Sequence, residues 1–150
     1  MKLTSDQFKN NDMIPKKYTC VGDNINPPLN IEDLPPGTQS LVLIIDDPDS
    51  LKGTFIHWVA YDIPVTSQIK ENSTPGTIGI NDFKNRNYGG PCPQFGTHHY
   101  HFKIYALDTR LDLPEGQTNA QIERAMINHV LDQAELIGSF TREALKLVGR

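Results

Sequence analysis

The chain is poor in the features that would give it away at once. Its 150 residues hold two cysteines, one tryptophan and no apolar run long enough to span a bilayer. No G-x-S-x-G, P-loop or G-x-G-x-x-G occurs, so the familiar hydrolase, nucleotide-triphosphatase and dinucleotide signatures are missing. Positive charge is scarce as well: 14 Lys and Arg against 18 Asp and Glu leave a net charge of -4. That balance argues against a nucleic-acid surface or a patch for anionic membranes. Cys20 and Cys92 lie too far apart in sequence for a metal-type spacing. The opening Met1–Asp6 lacks the apolar core of a signal peptide, so a cytoplasmic protein is expected. In that reducing compartment a Cys20–Cys92 disulfide is disfavoured.

What is present reads as one β-rich domain, since the length suits a single core without staples. Leu29–Ile31 is expected to be a brief strand, and Thr4–Phe8 and Thr77–Ile80 extended pieces. Ser40–Asp46 is a continuous Leu/Val/Ile run between Gly37 and Pro48, too short for a helix, and predicts a strand buried on both faces. Thr54–Ile63 predicts a second strand stopped by Pro64, with His57, Val59 and Tyr61 on one face and Ile56, Trp58 and Ala60 on the other. Between Thr66 and Arg86 the chain is polar and turn-rich. Thr118 and Gln121 form a capping-box pattern, and Ile122, Met126 and Val130 make a helical stripe, which predicts one helix over Asn119–Leu131. Gly138 and the Ser-Phe-Thr after it favour a closing strand over 132–142.

The stretch Tyr88–Leu107 joins a loop to a strand. Gly89, Gly90, Pro91, Pro93 and Gly96 exclude a regular element at its start. From His98 onward the even positions, His98, Tyr100, Phe102, Ile104 and Ala106, form one face, with His99, His101 and Lys103 on the other. Two hydrogen-bonding side chains therefore begin an otherwise apolar face, where a Gly/Pro loop meets a sheet. Asp47 and Asp49 end one strand and His57 lies inside the next, so the three stretches could share a pocket of carboxylates, imidazoles and a phenol. Such a set suits a small anion that carries its own proton or an accompanying cation. Each group also has a plainer reading: Asp-Pro-Asp as a solvated turn, His57 as a hydrogen-bonded core residue, His99 and His101 as a solvent-facing strand. His99-x-His101 resembles the start of a cupin metal site, but position 105 is Tyr where an acidic ligand is needed, so no metal is expected. Cys92 near His98 could be a thiol nucleophile, but has no obvious third group to orient it.

Taken together, Asp47-Pro48-Asp49, Phe55-Ile56-His57-Trp58, Gly89–Pro93 and His98–Phe102 resemble the phosphatidylethanolamine-binding protein family, in its bacterial and archaeal Raf-kinase-inhibitor-like branch. Tyr18-Thr19-Cys20, Asn26–Leu29, Asn81-Asp82-Phe83 and Ala134–Gly138 extend the resemblance over nearly the whole chain. It implies an antiparallel β-sandwich-like fold with a helix in the C-terminal region and an anion pocket at one end. It also implies a ligand set of Asp47, Asp49, His57, His98 and Tyr100, with Gly90 and Pro91 in the loop that covers the pocket. No cofactor, no catalytic residue and no nucleic acid or integral membrane partner is implied. The expected ligand is a phosphate or phospholipid head group, the expected assembly a homodimer, and a protein kinase or protease a possible target. A metal-assisted or Asp/His acid–base hydrolase using the same pocket is the alternative. The sequence departs from the family pattern at Ser50-Leu51 after Asp49, at Ile31, and at His99, where eukaryotic members carry Arg. The family-typical placing of Cys20 and Cys92 favours a structural role over a reactive one.

Overall fold

The computed structural model describes residues 1–143. It is mainly β, with two antiparallel sheets and one α-helix. The smaller sheet pairs β1 (Lys2–Thr4), β2 (Leu29–Glu32) and β5 (Gln68–Ile69) in the order β1-β2-β5. The larger runs β6-β4-β3-β7-β8, built from β3 (Ser40–Asp47), β4 (Phe55–Ile63), β6 (Thr77–Ile78), β7 (Gly96–Leu107) and β8 (Val130–Arg142).

The apolar pattern explains this layering. Leu3, Leu29, Ile31 and Ile69 of the small sheet face Leu43, Ile45, Trp58, Phe102 and Ile104 of the large one, and together they form the main core. The opposite face of the large sheet carries Val42, Ile44, Val59 and Tyr61, covered by Ile122 and Met126 of helix α1 (Asn119–Met126). β3 is thus buried along its whole length, as a run without polar alternation requires. The inward set on β7 is also as expected, with Tyr100, Phe102, Ile104 and Ala106 all fully buried.

Several boundaries differ from the sequence expectation. The capping box forms, with Thr118 accepting from the Gln121 amide and Gln121 reaching back to the Thr118 amide. The helix nevertheless stops at Met126 instead of continuing to Leu131. Asn128 takes a left-handed φ of 67°, and Val130, counted above as part of the helical stripe, is exposed and opens β8. The first extended piece is Lys2–Thr4 instead of Thr4–Phe8, and β5 lies unforeseen inside the polar stretch. The outer edge of β8 is covered by the chain at 10–14. Asn10 Oδ1 accepts from the Ile137 amide at 2.8 Å, the Asn11 amide donates to the Ile137 carbonyl at 2.6 Å, and Ser139 exchanges bonds with Asp12 and Ile14.

The cysteine expectation is corrected. Cys20 and Cys92 are joined by a disulfide, with their Cα atoms 5.4 Å apart. The two segments that carry them are also bound by the Cys20 amide donating to the Pro91 carbonyl at 3.1 Å. No sequence spacing could show this closeness, because it comes from tertiary folding.

Candidate functional site

The site lies where β3, β4 and β7 end together. β3 pairs with β7 from Ser40↔Leu107 to Asp46↔His101, which sets Asp47 beside the start of β7. Between β3 and β4 the register shifts: Ile45 faces Trp58 but Asp46 faces Ile56, so His57 is an extra, bulged residue. A bulge re-aims the side chains around it. Ile56 joins the cluster of Val59 and Tyr61, and the His57 ring stacks edge-on against Tyr100 at 5.2 Å, with Phe55 and Phe83 at 5.1 and 5.3 Å. The face assignment made from strict alternation therefore fails at Ile56 and His57, and that failure delivers the histidine to the site.

Each polar group is held by a named partner. The Gly89 carbonyl can only accept, so the His57 Nδ1 at 2.7 Å carries a proton and donates to it, leaving Nε2 for the pocket. Burial holds His57 below the usual histidine range, with the Gly89 carbonyl and the Asp47 carboxylate pulling the other way. Asp47 is itself buried; its Oδ1 accepts from the Asp49 amide at 2.8 Å and its Oδ2 takes His98 Nδ1 at 2.6 Å. His98 thus also keeps Nε2 available. The Tyr100 hydroxyl is buried without a hydrogen-bond partner among the described residues. Burial first, and then the Asp47 charge, raise the pKa of that phenol, while the Cys92 backbone opposes them. Tyr100 is therefore a donor throughout the physiological range.

These groups line one cavity of about 430 Å³. Asp47, His57, His98 and Tyr100 form its polar end, and Phe55, Phe83, Pro93 and Phe95 its apolar walls, with Leu51 and Lys52 at the mouth. The structure brings four of the seven expected site residues together. Asp49 points elsewhere: its Oδ2 accepts from both the His99 amide and His99 Nδ1 at 2.8 Å, and that bond holds its carboxyl below the usual range. Gly90 and Pro91 lie behind the pocket wall. The Gly90 amide is already bonded to Asn24 Oδ1 at 2.8 Å, and a Cβ there would meet the Tyr18 carbonyl at 2.3 Å. They position the loop, and residues 92–95 do the lining.

His99, His101 and Lys103 lie on the outer face of β7, paired with Asp49, Glu135 and Asp46 respectively. Among the described residues no group of three or more His, Cys, Asp or Glu is placed to hold a metal ion. Sequence reasoning quoted Phe55 and Asn81-Asp82-Phe83 for the family resemblance but gave neither the aromatic walls nor Asn81 a part in the site. That buried amide turns its Nδ2 to the His57 and Asn87 carbonyls at 3.2 and 2.8 Å, and its Oδ1 accepts from the Phe83 amide. It clamps the loop carrying Phe83 onto β4. An Asn opening a polar, turn-rich stretch is a recognisable Asx-turn signal, but says nothing about where the turn docks.

A β-sandwich-like domain with a histidine–aspartate–tyrosine pocket at the ends of its central strands is a narrow class. A model of the family described as phosphatidylethanolamine-binding protein matches residues 4–141. The chain is 47% identical over 150 residues to a UPF0098 protein of Pyrococcus horikoshii, covering 93% of this chain and 76% of that one. It is 46% identical over 153 residues to a UPF0098 protein of Aquifex aeolicus, with 95% and 90% covered. Among solved structures, a phosphatidylethanolamine-binding protein homolog of Chlamydia trachomatis superposes with a TM-score of 0.91 at 39% identity, over 95% of this chain and 97% of that one. Escherichia coli YbcL, a member of the mammalian PEBP family, shares the fold at a TM-score of 0.87 and 24% identity, over 95% and 98% of the chains. The chain belongs to the phosphatidylethanolamine-binding protein family. Among the described residues no helix is long and apolar enough to cross a membrane.

Proposed function

We propose that this protein is a non-enzymatic binder of a small anion of the phosphate type, free or borne on a head group. The observation that carries the reading is the buried, unpartnered Tyr100 hydroxyl, set in one cavity with two histidines whose Nδ1 atoms are already engaged. A buried donor without a partner costs about 1–3 kcal/mol, so its place beside an open cavity supports a ligand oxygen as its partner. With both imidazoles neutral, the two Nε2 atoms are acceptors. An anion then fits if it brings a proton, as hydrogen phosphate does, or if a histidine takes one up. The cavity exceeds what inorganic phosphate fills, and its aromatic walls suit an organic substituent.

The test is an NMR titration with phosphate and phosphoethanolamine, comparing the wild type with His57→Ala, His98→Ala and Tyr100→Phe. Shifts should centre on His57, His98 and Tyr100, and Tyr100→Phe should weaken binding roughly tenfold, the equivalent of one hydrogen bond to a charged group. Unchanged affinity in all three variants would move the function elsewhere on the surface. A panel of phosphoesters and esters should show no turnover; hydrolysis lost in the His98 variant would favour the acid–base hydrolase instead. A kinase or protease would be a target if its phosphoryl or carboxylate group occupied this pocket, and a cytoplasmic homodimer is the setting proposed for such an encounter.

A further inference from the structure

The Cys20–Cys92 disulfide is not sealed in the core. Cys92 is exposed and Cys20 half-buried. Arg142, on β8 opposite Gly96, places one guanidinium nitrogen 3.5 Å from the Cys92 sulfur and 3.7 Å from the Cys20 sulfur. A fixed cation beside a sulfur favours its thiolate, which makes it a better leaving group in exchange. The loop gives this bond a mechanical role. Gly89, Gly90 and Pro91 are each tied down by a hydrogen bond, to His57, Asn24 and Cys20 respectively. Among the described residues no backbone–backbone hydrogen bond holds 92–95, the part that lines the pocket, before Gly96 enters β7. Pro93 is held by burial, and the disulfide is the covalent fastening of that wall.

We propose that Cys20–Cys92 is a redox-active disulfide that exchanges with dithiols, and that its state sets how tightly residues 92–95 close the pocket. One thiolate of the dithiol attacks the exposed Cys92 sulfur and forms a mixed disulfide. The Cys20–Cys92 bond breaks, and its electron pair leaves on the Cys20 sulfur as a thiolate facing Arg142. The second thiol of the reductant, deprotonated, then attacks its partner's sulfur and releases Cys92 as a thiolate. The protein gains two electrons and the dithiol ends as a disulfide. With the link open, Cys92–Phe95 lose their anchor and the wall opposite His57 and Tyr100 loosens.

The exchange half stands on the exposure of Cys92 and the placing of Arg142, and the consequence for ligand rests on the anion-binding reading above. The experiment is reduction of the native protein by dithiothreitol without denaturant, followed by thiol labelling and mass spectrometry, for the wild type, Arg142→Gln and Arg142→Lys. Wild type should be reduced while folded, Arg142→Gln roughly fivefold more slowly, and Arg142→Lys near the wild-type rate, because the charge and not the packing assists the leaving thiolate. A bond reducible only in denaturant, or equal rates for wild type and Arg142→Gln, would overturn the exchange proposal. NMR spectra of the reduced, folded protein should show shifts at His57, His98 and Tyr100 before any ligand is added. Unmoved signals would overturn the link to the pocket. Phosphate should then bind the reduced form more weakly than the oxidised one. If neither form binds phosphate, the anion reading fails, while the reduction rates still decide the exchange and the shifts of the unliganded protein still decide the wall.

Discussion

Replacing both Cys20 and Cys92 by Ser gives a direct measure of what the cross-link contributes. The bond joins residues 72 apart in sequence, so it closes a large loop in the unfolded chain. In the chain-entropy model a loop of that size removes about 15 cal/mol/K from the unfolded ensemble, or about 4.4 kcal/mol at 25 °C. Outside the 92–95 wall the native fold should change little, since the Cys20 amide keeps its bond to the Pro91 carbonyl and Asn24 still holds the Gly90 amide. A loss of about 3–4 kcal/mol is expected, and roughly 10 °C in Tm for a domain of this size. Typical stabilities of about 5–15 kcal/mol leave the variant folded. Urea unfolding can be followed by the buried Trp58, the single tryptophan. The midpoint should fall and the m value rise, because an unlinked unfolded chain exposes more surface. A loss below about 1 kcal/mol at unchanged m would refute the argument, showing that the unfolded chain is already constrained without the bond.

Three further outcomes follow from the pocket and its loop. Because burial depresses the folded pKa of His57, the unfolded state binds its proton first as pH falls. Stability should therefore decline from about pH 6.5 down to the folded value, and thermal melts of His57→Gln should lose that part of the slope; an unchanged profile would exclude His57 as its source. Ligand reverses the preference, so phosphate affinity should rise over the same falling pH window, read by calorimetry. Gly90→Ala forces a Cβ to 2.3 Å from the Tyr18 carbonyl and 2.5 Å from Asn24 Oδ1, backbone and anchoring amide alike. A cost of about 3 kcal/mol is expected in a urea melt, with the His57–Gly89 bond disturbed and the His57 signals shifted; a neutral substitution would mean the loop moves freely.

What could be read from the sequence was what local periodicity controls. The Leu/Val/Ile run of β3, the alternation from Tyr100 to Ala106 and the Thr118/Gln121 box each declare themselves within a few residues. What could not be read depends on partners far along the chain. The bulge at His57 exists only relative to the register of β3. Asp49 looks equivalent to Asp47 until His99, fifty positions on, takes its carboxylate. The helix end at Met126 is set by Asn128 adopting a left-handed backbone, although the stripe of Ile122 and Met126 runs on in sequence to Val130. Cys20 and Cys92 meet because two loops pack, which no composition rule reports.

The N-terminal stretch over β8 bears on how copies of this chain could associate. At Ile137 and Ser139 every outward amide and carbonyl is already taken by residues 10–14. A second molecule finds no free main-chain ladder there to extend. Across that part of the edge, two copies can join only through side chains, so self-assembly is governed by surface complementarity, which point substitutions can tune, and not by backbone templating, which they seldom can.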